Sequence, residues 1–275
     1  MLVSHESPLA LLEKSREYND YSYALVHLFE KYPEYYNFFK EEKERGRGVL
    51  LDNSLFELGE AFNSDEFAHW IDKLQPTEYV VPDVFSDGKK TADNFKNWVY
   101  KYNHLKGKKI GVVQGKTLQE MVDCYTFMCF HADKVAINFI SSYFITTGYS
   151  LNPNATQWHR LMEGRKKFIT DLINDDIWDW HKPVHLLGCT IPIEFKYYNN
   201  IQNYNGLMTI VPNIESIDTS NPVVAGMHNI RYNENGLDDK CEAKLADLME
   251  VKVTEENINN ILYNVSMFRK INNIK

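Results

Sequence analysis

The chain has 275 residues, 44% of them hydrophobic and 25% charged, and its formal net charge is -8. This composition is typical of a soluble globular protein with enough chain for a sizeable core. The acidic balance argues against a protein that binds nucleic acid over its whole surface, although it permits a local basic patch. No apolar run approaches the roughly 20 residues of a membrane helix, and Met1 to Glu6 lack a signal-peptide pattern. We therefore expect no membrane partner and a cytoplasmic protein, located in the host cytoplasm if a phage encodes it.

The cysteine pattern argues against a disulfide framework and against a structural zinc site. Cys124, Cys129, Cys189 and Cys241 are scattered, and no two of them form a CxxC pair. Structural zinc sites need closely spaced Cys and His ligands, and secreted frameworks need paired cysteines. We therefore expect reduced cysteines that pack as small hydrophobic residues, and no cofactor.

Short apolar runs that end in polar residues predict strands along most of the chain. In chain order the predicted strands are Leu2–His5, Val49–Leu51, Glu78–Asp83, Lys109–Gly115, Lys134–Asn138, Pro183–Gly188, Ile214–Asp218 and Val223–Ile230. Capped or amphipathic segments predict helices around and between them. Helices are predicted to begin at Ser7, Ser64, Thr117 and Pro192. Others are predicted over Tyr21–Phe29, Pro33–Glu44, Thr91–Tyr102 and Thr254–Ile271, and one passes through Leu161 and Phe168. The segment from Ser141 to Ala155 is expected to be a loop.

The alternation of these elements indicates the fold class. Eight strands, most of them separated by helices, favour parallel pairing with right-handed crossovers. In under three hundred residues this pattern predicts an α/β protein with a single (β/α)8 barrel domain over residues 1–275, closed by the C-terminal helix 254–271. A doubly wound open sheet is the alternative, but no GxGxxG follows any strand.

Polar side chains stand at the ends of most predicted strands. In a barrel these ends converge on one rim, where barrel enzymes place their chemistry. The rim residues are His5, Asp52, Asn53, Ser54, Asp83, Gln114, Gly115, Asn138, Gly188 and Asp218. Three carboxylates could hold a divalent metal, but no His pair at helix spacing and no DxDxD cluster accompanies them, so no metal is expected. His185, inside an apolar strand, is interpreted as a hydrogen-bonded core histidine.

Five segments in this order resemble one enzyme family, the tRNA-guanine transglycosylases and their phage and bacterial DNA-modifying relatives, which exchange guanine for a 7-deazaguanine. The third segment is similar to the family's GIVQG motif, and the fourth resembles its L(M/L)G segment. The five segments are Leu51–Ser54, Pro82–Val84, Gly111–Gly115, His185–Gly188 and Ile214–Asp218. The resemblance therefore runs through most of the chain.

The resemblance implies a role for four of the rim residues. Asp218 would be the nucleophile, Asp52 the acid and base, and Asp83 with Gln114 the readers of the guanine edge. The chemistry supports this division, because a carboxylate can capture the oxocarbenium-like sugar covalently, as in retaining glycosidases. One reversible acid can protonate the departing purine and accept a proton from the incoming base. A base inside a duplex would have to be flipped out.

Two departures from the family pattern favour its DNA-modifying members. Zinc-bearing members carry a CxCxxC…H cluster after the nucleophile, whereas Cys241 stands alone here. The family's glycine-rich GGLAVGE run is replaced by Ile137–Ser141. The short phage-type DNA relatives share the wording LDN(G/S)xFELG and PDV with this chain. The resemblance thus implies insertion of a 7-deazaguanine, such as 7-cyano-7-deazaguanine, into DNA without a zinc subdomain.

Alternative functions remain open on the sequence. The chain could be a zinc-free tRNA transglycosylase, a nucleoside hydrolase or a non-catalytic barrel that binds a nucleobase or a nucleic acid. The expected partners are DNA or alternatively tRNA, and the free 7-deazaguanine base, with a homodimer left open. Phosphate contacts need basic clusters. The candidates are Lys43, Arg45, Arg47, Lys89 and Lys90, together with Arg160, Arg165, Lys166 and Lys167.

Overall fold

The computed structural model describes residues 1–189, 191–198, 201–202, 209–237, 239–241 and 245–274. Eight parallel strands with helices between them form one sheet that curls into a nearly closed barrel. The barrel strands are β1 (Leu2–Ser4), β2 (Ser22–Leu25), β3 (Val49–Asp52), β4 (Glu78–Val80), β5 (Lys108–Val113), β6 (Lys134–Ile137), β7 (Val184–Leu186) and β10 (Ile214–Asp218). The two-residue strands β8 (Ile201–Gln202) and β9 (Thr209–Ile210) form a separate antiparallel pair. The predicted (β/α)8 fold class is confirmed.

The barrel closes between its first two strands through a side chain rather than through a strand ladder. The hydrogen-bonded order runs β1, β10, β7, β6, β5, β4, β3, β2. Between β1 and β2, the Val3 amide donates to Asp20 Oδ2 at 2.8 Å, and the Asp20 amide donates to the Val3 carbonyl at 2.9 Å. Tyr21 donates its hydroxyl to the Ile217 carbonyl at 2.7 Å. These contacts hold the two edges of the sheet together.

The helices surround the barrel and follow the expected caps at several N-termini. Thr117 caps the helix that follows β5, and Thr254 forms a capping box with Asn257 at the last helix. Asn63, one residue before the expected Ser64, caps the helix Ser64–Leu74. The helices are α1 (Leu12–Ser15), α2 (Leu28–Lys31), α3 (Pro33–Glu44), α4 (Leu55–Leu58), α5 (Ser64–Leu74), α6 (Gly88–Lys101), α7 (Leu118–His131), α8 (Ser142–Leu151), α9 (Gln157–Asn174), α10 (Glu194–Tyr198), α11 (Asn221–Met227), α12 (Leu245–Leu248) and α13 (Glu255–Ile271).

Within the described ranges, no helix combines the length and the apolar character needed to cross a bilayer. Cys124 and Cys189 are buried, and Cys129 and Cys241 are half-buried.

Three predictions of secondary structure were wrong. The segment Tyr21–Phe29, predicted as a helix, forms β2 and begins α2, because its residues are apolar on both faces and a buried strand needs no alternation. The segment Val223–Ile230, predicted as the eighth strand, contains most of α11, which begins with Pro222 in its first turn. The expected loop from Ser141 to Ala155 contains α8.

Helices α8 and α9 cross at two glycines, which lets their backbones approach closely. A Cβ atom at Gly148 would lie 1.9 Å from the Arg160 carbonyl oxygen, and one at Gly164 would lie 2.1 Å from the Phe144 carbonyl oxygen. Real side chains do not approach backbone atoms this closely, so the two helices would have to separate. The pair follows β6 and supplies part of the wall above the barrel.

We expect Gly164→Ala to lower the free energy of unfolding by about 1–3 kcal/mol, as overpacking does. The direction of this change in stability tests the close helix crossing, because Ala is otherwise favoured over Gly inside a helix by about 1 kcal/mol. Urea unfolding followed by circular dichroism measures the change. Gln157→Ala, at an exposed position in the first turn of the same helix, is the matched control and should change stability by less than about 0.5 kcal/mol. A stabilised Gly164→Ala variant would contradict this helix crossing.

Candidate active site

A cavity of about 170 Å³ lies at the carboxyl ends of the barrel strands. For scale, an apolar cavity of about 150 Å³ admits benzene, so a single ring system can enter this one. Its wall combines an apolar and aromatic surface with a dense set of carboxyl and amide side chains. The polar lining includes Glu6, Asp52, Asn53, Glu57, Asp83, Gln114, Asn138 and Asp218.

Asp218 ends β10 and is held by two donors from the neighbouring strand. His185 Nε2 lies 2.9 Å from Asp218 Oδ1, and the Gly188 amide donates to the two carboxylate oxygens at 3.1 and 3.2 Å. A carboxylate can only accept, so His185 carries its hydrogen on Nε2 while Nδ1 accepts from the Ser216 hydroxyl at 2.9 Å. Gly188 presents its amide from a left-handed backbone with φ of 66°. Asp218 therefore has one fixed orientation at the cavity wall.

Asp52 ends β3, and a strained turn holds it in place. The Ser54 amide donates to Asp52 Oδ1 at 2.7 Å. Ser54 itself adopts a left-handed backbone with φ of 61°, which is unusual for a residue with a side chain. Its hydroxyl lies 2.8 Å from His27 Nδ1, a contact that stabilises the turn. Burial, and then the charge of Glu57, raise the pKa of Asp52 well above the ordinary carboxyl value.

A chain of amides holds Asp83 on another side of the cavity. Asn53 Nδ2 donates to Asp83 Oδ1 at 2.8 Å, and Gln114 Nε2 donates to Asp83 Oδ2 at 2.8 Å. Gln114 Oε1 accepts in turn from the Ser86 amide at 2.9 Å and from Asn138 Nδ2 at 3.0 Å. Because the carboxylate accepts from both amides, it fixes which way each of them points.

The same series of hydrogen-bonded side-chain amides leaves one hydrogen-bond acceptor atom available. Asn138 is 6% exposed, and its Oδ1 atom has no hydrogen-bond partner among the described residues. The Nδ2 atom is directed away from this position by Gln114 Oε1 and by the Ile140 carbonyl at 2.8 Å. A buried acceptor without a partner is costly unless a ligand or water supplies the donor. Asn138 therefore suits a ligand with an N–H group.

Most of the sequence-predicted site residues line this one cavity, but three do not. His5 packs its ring against Tyr18 and Phe268, with centroids 6.0 and 5.4 Å away, and lies outside the cavity lining. Burial, and then the charge of Arg269, lower the pKa of His5 to about 3. Gly115 packs against α7. Ser54 donates its backbone amide to Asp52 and does not line the cavity itself. The predicted residues that line the cavity are Asp52, Asn53, Asp83, Gln114, Asn138, Gly188 and Asp218.

The structure adds residues that sequence reasoning did not select. Glu6 and Glu57 bring two further carboxyl groups to the cavity, and Tyr23 on β2 also lines it. His185, interpreted as a core histidine, contacts Asp218 directly. For His185 the available signal was a polar residue in an otherwise apolar strand, next to the predicted rim. Glu6 and Glu57 gave no comparable signal.

The mouth of the cavity carries a lysine between aromatic rings. Lys240 Nζ lies 4.3 Å from the centre of the Trp158 ring and 5.6 Å from that of Phe56. All three residues line the cavity. A cation among aromatic faces is a common arrangement in proteins that bind nucleic-acid strands.

Four of the predicted phosphate contacts lie in two pairs at opposite ends of the barrel. Lys89 and Lys90 are exposed at the start of α6, beyond β4, on the cavity side of the barrel. Arg45 and Arg47 precede β3 and therefore lie at the opposite end. Arg47 is used structurally, because it pairs with Glu42 at 3.3 Å and donates to backbone carbonyls. Neither Arg45 nor Arg47 therefore lies beside the cavity.

Arg165, another predicted phosphate contact, is instead fully buried. Its guanidinium forms a bidentate pair with Glu194, with both N–O distances 2.7 Å. It also donates to the Leu187 and Gly188 carbonyls at 2.8 Å each. Arg165 thus fixes the segment whose Gly188 amide holds Asp218.

Across the part of the chain that the structure describes, no group of three or more His, Cys, Asp or Glu side chains is arranged to hold a metal ion. Carboxyl groups of the cavity instead hydrogen-bond His185, backbone amides and side-chain amides. These side chains can themselves supply a nucleophile, an acid and hydrogen-bond partners for a ligand.

Comparison with known proteins adds a single observation on shape. No protein-family model matches the chain, and no curated protein matches it significantly. Among solved structures, the chain is similar to one described as "Structural study of Project ID from Aquifex aeolicus VF5". The match covers 98% of this chain and 92% of the other, with 10% sequence identity and a TM-score of 0.47. A likeness at this level says nothing about function, which has to come from the chemistry of the cavity.

Proposed function

We propose that the chain is a base-exchange transglycosylase that replaces guanine in DNA with a 7-deazaguanine, such as 7-cyano-7-deazaguanine, through a covalent aspartyl intermediate. The observation that carries the proposal is the joint lining of one cavity by Asp218, Asp52 and the Asp83–Gln114 pair. These are the four residues to which the family resemblance assigns roles. They come from β10, β3 and the segments after β4 and β5, so the barrel has to fold before they meet.

In the first half of the reaction, an Asp218 oxygen forms a bond to C1′ of the sugar while the bond from C1′ to N9 of guanine breaks. The held carboxylate of Asp218 suits this role, because His185 and Gly188 fix its orientation before the substrate arrives. Asp52 supplies the proton that the departing guanine needs. Its raised pKa keeps a proton on the carboxyl group at higher pH than an exposed aspartate would.

In the second half, the incoming 7-deazaguanine gives its N9 proton to Asp52 and attacks C1′, and Asp218 leaves as a carboxylate. Atoms and charges balance, because the proton lost by Asp52 in the first half is regained in the second. The same carboxyl group thus serves as acid and then as base. No water enters this cycle. A hydrolase would differ only in that water, rather than the incoming base, attacks C1′ of the covalent intermediate.

The amide chain provides a surface that complements guanine. Asp83 can accept from N1–H and from the exocyclic amine, and the second N–H of Gln114 can donate to the base carbonyl. Asn138 Oδ1 offers a further acceptor. Adenine presents a different pattern of donors and acceptors on this edge, so the arrangement favours guanine-type bases.

The polymer assignment rests on the sequence resemblance to the short DNA-modifying relatives. The decisive experiment incubates the protein with labelled 7-cyano-7-deazaguanine and, separately, with duplex DNA, single-stranded DNA and tRNA. Label in DNA supports the proposal, and label in tRNA alone overturns the DNA assignment. Release of free guanine without incorporated label identifies a hydrolase. Calorimetric binding of the base with no turnover on any polymer identifies a binding protein.

We expect Asp83→Asn to weaken use of the 7-deazaguanine base, raising its KM by about 10- to 100-fold, as loss of a buried charged hydrogen bond does. The amide places a donor where N1–H and the amine need an acceptor. Initial rates of label incorporation measure KM and kcat.

A base without the exocyclic amine, 7-deazahypoxanthine, is the matched ligand control. The unsubstituted protein should disfavour it strongly relative to 7-deazaguanine, and Asp83→Asn should reduce this discrimination. Equal discrimination by both proteins would remove Asp83 from base reading.

A further inference from the structure

Glu6 brings a second carboxyl group to the nucleophile. In the ladder between β1 and β10, Ser4 is the partner of Asp218, and Glu6 follows two residues beyond this pairing. The Glu6 side chain lines the same cavity as the Asp218 carboxyl group. The proposed transglycosylase roles leave Glu6 without a function.

The surroundings of Glu6 favour its protonated form. Two carboxylates that face one cavity repel one another, and a hydrogen bond between them can form only if one is protonated. Negative charge from Glu57 and Asp52 adds to that of Asp218 and disfavours ionisation of Glu6. The titratable groups around Glu6 are Asp218 on β10, Asp52 on β3, Glu57 on α4, Tyr21 just before β2, Tyr23 on β2, and Tyr35 on α3.

Of the two carboxyl groups, Glu6 is the one placed to hold the proton. Asp218 already uses its oxygens to accept from His185 Nε2 and from the Gly188 amide. Burial, and then the charge of Asp218, raise the pKa of Glu6 well above the ordinary carboxyl value. Glu6 is therefore the donor and Asp218 the acceptor.

We propose that Glu6 is a positioning residue whose neutral carboxyl group donates a hydrogen bond to Asp218 and stabilises this aspartate as the group that leaves from the covalent intermediate. The proposal rests on the role of Asp218 as the nucleophile. When Asp218 is bonded to C1′ it carries no charge, and the bond from Glu6 is weak. When the incoming base displaces Asp218, the returning negative charge is met by a donor already in place. No proton has to leave Glu6 during the cycle.

This role predicts that Glu6→Ala slows the second half of the reaction more than the first. We expect kcat to fall by about 10- to 100-fold, the effect of losing a hydrogen bond to a charged group, with the KM for the free base nearly unchanged. The covalent protein–DNA adduct should accumulate, and denaturing gels and mass spectrometry of quenched reactions measure it. Glu6→Gln retains an N–H donor at this position and should recover most of the lost rate. Glu34→Ala, at an exposed position on α3, is the matched control.

A second measurement does not depend on turnover. Carbon-13 labelling of glutamate side chains gives a carboxyl NMR titration of the ligand-free protein, and the signal absent from Glu6→Gln identifies Glu6. We expect this signal to titrate at a pH well above the ordinary carboxyl pKa of about 4, and to titrate at lower pH in Asp218→Asn, where the partner charge is gone. An ordinary titration of Glu6 that Asp218→Asn leaves unchanged would overturn the pairing, even if base exchange is confirmed. Equal losses in Glu6→Ala and Glu6→Gln, without accumulated adduct, would overturn the positioning role. Absence of exchange by the unsubstituted protein would instead refute the proposed function, and the titration would still test the pair.

Discussion

Asp218→Asn is expected to abolish base exchange, lowering turnover by about a thousand-fold or more, because an amide cannot form the sugar ester on which the reaction depends. The substitution keeps the shape of the side chain and one acceptor oxygen. The hydrogen on His185 Nε2 and the Gly188 amide therefore retain a partner. We expect the variant to fold and to bind the free base, so that the loss is confined to chemistry.

Two measurements separate this loss from misfolding. Incorporation of labelled 7-deazaguanine into DNA reports exchange, and mass spectrometry after rapid quenching reports the covalent adduct, which should be missing. Circular dichroism and calorimetric binding of the base should remain close to those of the unsubstituted protein. Asp175→Asn, at the exposed end of α9, is the matched control and should keep full activity. An Asp218→Asn variant that still forms the adduct would remove Asp218 from the nucleophile role.

The sequence carried much of the fold and of the site because a parallel barrel links the two. A short apolar run that stops at a polar residue marks both a buried strand and its carboxyl end. This rule selected Asp52, Asp83, Gln114 and Asn138 from the sequence alone, and all four line the cavity. Their hydrogen-bonding and acid–base chemistry then followed from residue type.

The same rule could not decide between neighbours beyond the end of a strand. His5 and Glu6 both follow β1, which is three residues long, and the histidine was selected. Which of the two faces the cavity depends on the path of the chain after Ser4, and this path is set by packing of the His5 ring against Phe268 on α13. That contact joins residues at opposite ends of the chain. The local sequence pattern around β1 carries no information about this contact.

The carboxyl groups crowded around the cavity make the stability of the folded protein depend on pH. A carboxyl group whose pKa is raised in the folded protein binds its proton more tightly there than in the unfolded chain. Above the ordinary carboxyl pKa of about 4, the folded protein therefore holds protons that the unfolded chain has lost. The free energy of unfolding must fall with increasing pH across this window, until the raised pKa is passed. Asp52 and Glu6 both contribute to this decrease.

Asp52→Asn should separate the role of this carboxyl group in catalysis from its effect on stability. We expect exchange to fall by about 10²- to 10⁴-fold, because the departing guanine loses its acid and the incoming base loses its proton acceptor. We also expect the variant to be more stable than the unsubstituted protein at about pH 7 and to lose this advantage near pH 4, because asparagine never ionises. Initial rates measure the first change, and urea unfolding at the two pH values measures the second. The Ser54 amide still finds an acceptor oxygen in the variant, so the turn after β3 should persist.

The pH dependence of this comparison is what identifies Asp52 as a proton carrier rather than as a turn residue. If Asp52 only stabilised the turn, its replacement would leave exchange nearly intact and would change stability equally at acidic and neutral pH. If it carries the proton, loss of exchange and gain of stability occur together at neutral pH, since the same buried carboxyl group causes both. Asp72→Asn, at an exposed position on α5, should show neither change. A variant that loses exchange but is less stable at neutral pH would show that the turn, not the proton, depends on Asp52.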